Sequence, residues 1–159
     1  MQPSERIANL GNPPEANPEE QPVQLNPYLF FNGRCGEAFR FYEKTLGGKI
    51  VAMMTYADAP DPSQSPPEHR NLIMHARMTV GDKVLMGSDA PEERFNKPQG
   101  FSVSLGIDDP KEAERVFAGL CEGAANVIMP IAETFWAERF GMLVDQFGTP
   151  WMINCEKKK

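Results

Sequence analysis

The feature that most narrows what this chain can fold into is a pattern that occurs twice. Residues 25–89 order their apolar runs and turn signals as strand, helix, strand, strand, strand, and residues 99–156 repeat that order. In the first half the run "LNPYLFF" reads as a strand. "GEAFRFYEKTLGG" spaces Ala38, Phe41, Tyr42 and Leu46 near a helical period and ends on Gly47-Gly48, a helix stop. "KIVAMMTY" is a second strand, and the four prolines of "ADAPDPSQSPPEHR" make a loop. "NLIMHARMTV" alternates, with Leu72, Met74, Ala76, Met78 and Val80 on one face and Ile73, His75, Arg77 and Thr79 on the other. Gly81-Asp82 then turns the chain into "KVLMGSD" as a hairpin.

The second half follows a polar linker at 90–100. Val103, Leu105 and Ile107 alternate with Ser102, Ser104 and Gly106. Asp109 and Glu112 have the spacing of a capping box with Pro110 in the first turn, so a helix over 111–121 is expected, with Ala113, Val116, Phe117 and Leu120 as its apolar stripe. "NVIMPIA", "GMLVDQF" and "TPWMINC" supply three more strands, the last two joined at Gly148. The halves share a pattern and almost no identical residues. One domain over 25–156, made of two modules at about 25–89 and 99–156, is the organisation this predicts. Residues 1–24, rich in Pro, Asn, Glu and Gln, are expected to form a flexible N-terminal extension, because they offer too little apolar surface to order themselves.

Charge and cysteine usage exclude several functions. The formal net charge of −6 opposes a duplex nucleic-acid binder, which needs clustered Lys and Arg against phosphate. No apolar run is long enough to span a bilayer, so no membrane partner is expected. Cys35, Cys121 and Cys155 are odd in number and far apart, with no CxxC pair, so they read as reduced thiols of a cytoplasmic protein.

Two stretches carry a family resemblance, "NPYLFFNGRCGEAFRFYEKTLGG" and "ETFWAERFGMLVDQFGTPWMIN". They resemble the PhnB-like branch of the vicinal oxygen chelate superfamily, which includes glyoxalase I, extradiol dioxygenases and the fosfomycin and bleomycin resistance proteins. The resemblance covers about residues 25–155. It implies an α+β fold in which two βαβββ modules form a curled mixed sheet with a central cavity, and a homodimer. It also implies a small-molecule ligand in the cavity. The branch often carries a methyltransferase label, yet no glycine-rich turn follows a strand here as a nucleotide-type cofactor site would need.

Metal-dependent members of the superfamily place four ligands on four strands. In this sequence those positions fall at Pro27 or Tyr28, at His75, at Ser102 and at Met152. Only His75 is a ligand type, so no cofactor is expected and a divalent metal is disfavoured. If the strongly apolar strand faces pack on the helices, the opposite faces carry His75, Arg77, Ser102, Ser104, Met152 and Asn154 to one concave surface. Tyr28, Phe30, Phe135 and Trp136 offer stacking area, and Arg77 a cation for an anionic or oxygen-rich group. The reading that follows is a binding protein for a small, partly apolar oxygenated organic ligand. The alternative is an isomerase- or lyase-type enzyme using His75 and Glu133 as acid and base. His69, in the proline loop, is expected to be exposed, Asp145 to cap the turn at 146–148, and Arg139 to pair with a surface acid.

Overall fold

Leu29, Phe31 and the first helix fix the inner side of the first sheet. The computed structural model describes residues 23–159. Strand β1 (Tyr28–Phe31) leads to helix α1 (Cys35–Leu46), then β2 (Lys49–Thr55), β3 (Ile73–Val80) and β4 (Lys83–Asp89). The second module repeats the order with β5 (Val103–Gly106), α2 (Pro110–Leu120), β6 (Asn126–Ala132), β7 (Ala137–Val144) and β8 (Pro150–Glu156). Each module builds its own four-stranded mixed sheet, in the orders β1-β4-β3-β2 and β5-β8-β7-β6. The β1–β4 and β5–β8 pairs are parallel and the others antiparallel. The two mixed sheets of the expected βαβββ modules are open, and no ladder joins them among the described residues. The expected extension at 1–24 lies almost wholly outside the described residues.

The second helix follows its sequence pattern closely. Ala113, Val116, Phe117 and Leu120 are its buried residues. Asp109 caps it by accepting from the Lys111 amide, but Glu112 turns away to Arg115, so the reciprocal half of a capping box is not made. The first helix departs from its expected stripe. Its buried face is Cys35, Ala38, Phe39, Tyr42 and Thr45, while Phe41 and Leu46 flank the core. A helix starting at Cys35 brings these positions to one side, and with Phe39, Phe41 and Tyr42 in a row the apolar period is ambiguous from sequence. Gly47 closes the helix in the left-handed region, at φ 70°, where a side chain would be strained.

The alternation expected for β3 also breaks. His75 pairs with Met54, but the next pairing is Ile73 with Thr55, so Met74 is an extra residue on that strand. The bulge inverts the faces beyond it, and Ile73 joins Ala76 and Met78 in the core instead of standing beside His75. A matching irregularity at Val51 offsets the partner strand. The proline-rich loop contains three short 3-10 turns, and His69 within it is half-buried rather than exposed.

One core serves both modules. Tyr42 of α1 packs edge-on against Trp151 of β8, with ring centroids 5.1 Å apart, and Phe31 and Phe41 meet Phe147. A polar clasp lies at the same boundary. The fully buried Asp145 accepts from the Phe147 and Thr149 amides, as a turn cap should. Its other oxygen accepts from the Tyr42 hydroxyl at 2.5 Å and the Trp151 indole N–H at 2.8 Å. Four donors thus satisfy a carboxyl group that burial alone would penalise. Burial and the adjacent Asp145 together hold the Tyr42 hydroxyl well above its ordinary pKa. In the first module Asp89 ends β4 and accepts from the Cys35 and Ile73 amides, tying the start of α1 to the bulged end of β3.

Candidate functional site

The strand registers define what the core leaves free. On the outer face of the first sheet Tyr28, Met86, Arg77 and Ala52 lie in one row across four strands. Phe30 and Ser88 lie in the next row, as do His75 and Met54. On the outer face of the second sheet one row is Ser104, Met152, Met142 and Met129, and the next is Gly106, Asn154, Phe140 and Ala132. The sheet faces that the sequence assigned to the site are therefore the ones turned from the helices.

Some of the expected site residues meet and others do not. The Tyr28 hydroxyl lies 3.2 Å from His75 Nδ1, with the two rings stacked at 5.8 Å, and Phe30 packs 5.2 Å from Tyr28. Arg77 is exposed and makes no ion pair among the described residues. An open cleft of about 1100 Å³ brings Arg77 and Lys83 together with Ser104, Gly106 and Trp151 of the other module, with Pro27 at its edge. Ser102 sits just ahead of β5 and is half-buried, as are Met152 and Asn154.

The connection from β6 to β7 is a tight turn closed on itself. The Thr134 amide donates to the Ala137 carbonyl, and the Ala137 amide donates to the Thr134 hydroxyl. Phe135 and Trp136 therefore project from its tip, 89% and 48% exposed, with Trp136 edge-on to Phe140 at 5.4 Å. Glu133 precedes the turn and is exposed, 3.2 Å from Lys157 Nζ. His75 and Glu133 thus engage different partners, Tyr28 and Lys157. Arg139 pairs with Glu114 at 2.7 Å, the surface role expected of it.

The side chains present do not fit a chelated cation. The positions that the family resemblance assigns to metal ligands hold Pro27 or Tyr28, His75, Ser102 and Met152, with no carboxylate among them. Among the described residues no three His, Cys, Asp or Glu converge. The thiolate form is disfavoured at all three cysteines. Burial and the nearby Asp89 push the Cys35 thiol far up, and burial raises Cys121 and Cys155. The sequence did not single out Lys83, whose place at the cleft depends on pairings between strands.

Two βαβββ modules, each with one helix against one face of a mixed sheet, define a protein of the glyoxalase/bleomycin-resistance fold class. Residues 23–154 match the family described as 3-demethylubiquinone-9 3-methyltransferase, and the chain belongs to this PhnB-like family. It is 34% identical over 147 residues to protein YjdN of Escherichia coli, covering 86% of this chain and 98% of that one. It is also similar to the crystal structure of protein PA1353 from Pseudomonas aeruginosa, at 45% identity and a TM-score of 0.76, covering 86% of this chain and 99% of that one. The PhnB protein of Bacillus cereus, at 23% identity and a TM-score of 0.70, shares the fold over 84% of this chain and 99% of its own. Among the described residues no helix is long and apolar enough to cross a membrane.

Proposed function

We propose that residues 25–156 act as one ligand-binding domain that holds a small, partly apolar oxygenated organic molecule between its modules. The observation that carries this reading is Arg77, an exposed guanidinium with no ion pair among the described residues, in a cleft shared with Ser104 of the other module. A cation with apolar walls suits a carboxylate or other oxygen-rich group on an aromatic or aliphatic body. Tyr28, Phe30, Phe135 and Trp136 supply exposed ring faces, and in this reading the half-buried Ser102, Met152 and Asn154 contribute the second sheet's share of the site. Methyl transfer, the reaction in the family's name, is not part of this reading. The two strand-to-helix connections, Asn32-Gly33-Arg34 and 107–109, are short and not glycine-rich.

Affinity for benzoate tests the proposal. Wild-type protein is expected to bind benzoate about tenfold more tightly than benzyl alcohol, and Arg77→Met to abolish that difference. Equal affinities in the wild type would sink the role given to Arg77. A second reading, an isomerase- or lyase-type enzyme, draws support from the Tyr28–His75 contact, because a hydroxyl on Nδ1 orients the ring and leaves Nε2 free to move a proton. Glu133 would have to leave Lys157 to serve as its partner acid or base.

We further propose a cytoplasmic homodimer. Three free cysteines support the compartment. For assembly, the β6 edge exposes Val127, Ile128 and Met129 at 42%, 51% and 40%, an apolar edge that a second copy would cover. Ile128→Lys is expected to convert a dimer to a monomer on light-scattering chromatography, and a wild-type monomer would refute the dimer.

A further inference from the structure

The apolar wall of the inter-module cleft is of one chemical kind. Leu46 at the end of α1, Val80 and Val84 of the β3–β4 hairpin, Val103 and Leu105 of β5, and Leu25 ahead of β1 all line it. Each is a branched aliphatic side chain. Among the described residues that line the cleft Trp151 is the only aromatic, and at 1% exposure it offers no ring face for stacking. Tyr28, Phe30, Phe135 and Trp136 lie outside that lining. The charges at the cleft also have a definite balance. Arg77 and Lys83 are its cations and Asp82 its acid, with the Asp82 carboxylate 3.8 Å from Lys83 Nζ. Asp82 offsets Lys83, whereas Arg77 has no ion pair among the described residues, so a single positive charge is left over.

We propose that the cleft takes an aliphatic monocarboxylate, its carboxylate on Arg77 and its saturated chain against the leucine and valine wall. A wall of this kind rewards each methylene that leaves water in proportion to the area covered, and it has no ring face with which to favour a planar body. One uncompensated guanidinium balances one carboxylate. A second carboxylate at the far end of the chain would lose its water among aliphatic side chains with no free cation to meet it, which disfavours diacids. The cleft thus discriminates twice, for a chain over a ring and for one charge over two. The inference deepens the binding reading above by naming the ligand class, and it rests on that reading for the role of Arg77.

Calorimetric titration of the full chain with butanoate, hexanoate, octanoate, octanedioate and benzoate tests this class. Affinity is expected to rise about tenfold from butanoate to octanoate, with octanoate about tenfold tighter than octanedioate and also tighter than benzoate. Leu25→Asn places the chain at the cleft, because a side chain 97% exposed gives up no core contact when it is replaced. That variant is expected to weaken octanoate about threefold while butanoate affinity and Tm stay as in the wild type. Arg77→Met is expected to weaken every monocarboxylate by one common factor and to leave the rise with chain length intact, so failure of the anion site and failure of the aliphatic wall are read separately. A flat series from butanoate to octanoate overturns the proposal whatever Arg77 does. Octanedioate equal to octanoate, or benzoate tighter than octanoate, also overturns it, and unchanged octanoate affinity in Leu25→Asn overturns its placement at this cleft.

Discussion

The inner faces of the two sheets are close to interchangeable, and the outer faces are not. Inside, Leu29, Phe31 and Met78 of the first module face the same core as Trp151, Ile153 and Leu143 of the second, and each helix adds a four- or five-residue stripe. Outside, the first sheet carries Tyr28, His75 and Arg77, while the second carries three methionines, Ser104 and one orphan amide. What repeats is what the fold requires. What fails to repeat lies where no packing constraint demands it, and that is where the proposed ligand would bind.

The buried carboxyls sharpen the same contrast within the core. Asp89 accepts two backbone amides inside its own module, whereas Asp145 reaches from the second module to Tyr42 of the first. The largest expected effect in the molecule is therefore Asp145→Ala, which strands the Trp151 N–H and leaves the Tyr42 hydroxyl only Thr149 Oγ1, at 3.0 Å, and should cost about 3–5 kcal/mol in urea unfolding. Asp89→Ala should cost less, about 2–3 kcal/mol. Equal losses would show that the boundary between modules is no stronger than a cap within one.

Next in size are the glycines at close approaches. A Cβ at Gly141 would meet the Phe117 ring at 2.6 Å, and one at Gly87 would meet the Phe39 ring at 2.8 Å. Each is a close approach of helix to strand within its own module, on β4 in the first and on β7 in the second, so Gly141→Ala and Gly87→Ala should each destabilise by about 1–3 kcal/mol. A neutral change at either site would show that its helix shifts to admit the methyl group.

Stability should also fall in alkali, and more steeply than surface charge would produce. Burial raises the Cys35 thiol above its ordinary value of 9.0, and burial and Asp145 raise the Tyr42 hydroxyl above its ordinary 10.0. Both groups stay neutral in the fold and ionise at lower pH when unfolded, so their contribution is complete below pH 9 and is lost as the pH climbs beyond it. The urea midpoint measured from pH 7 to 10.5 should decline from near pH 9, and Cys35→Ala should remove the first part of that decline. The smallest effect belongs to the outer face. Arg77→Met should leave the unfolding free energy within about 0.5 kcal/mol of wild type, since no ion pair is lost.

How much of this was legible in the sequence depends on how local the cause was. The α2 stripe, the Asp109 cap and the alternation of β5 follow from neighbours a few residues apart, and they stand as read. The Met74 bulge was not legible, because it exists only against the register of β2. Asp145 could be read as a turn cap, but its bond to Tyr42 spans 103 residues. The Tyr28–His75 contact spans 47 residues and follows from strand order. The outer-face positions of Ser104, Met152 and Asn154 were legible from alternation alone, while the pairing of Glu133 with Lys157 depends on where the chain end lies.

Mapping benzoate-induced shifts across the backbone amides of the 15N-labelled protein tests the central claim most directly. The account predicts shifts at Tyr28, Arg77, Ser104 and Gly106, on the outer faces and around the cleft, with the inner-face residues Phe31, Leu143 and Ile153 unmoved. Shifts confined to the inner faces, or none at all up to millimolar benzoate, would contradict it.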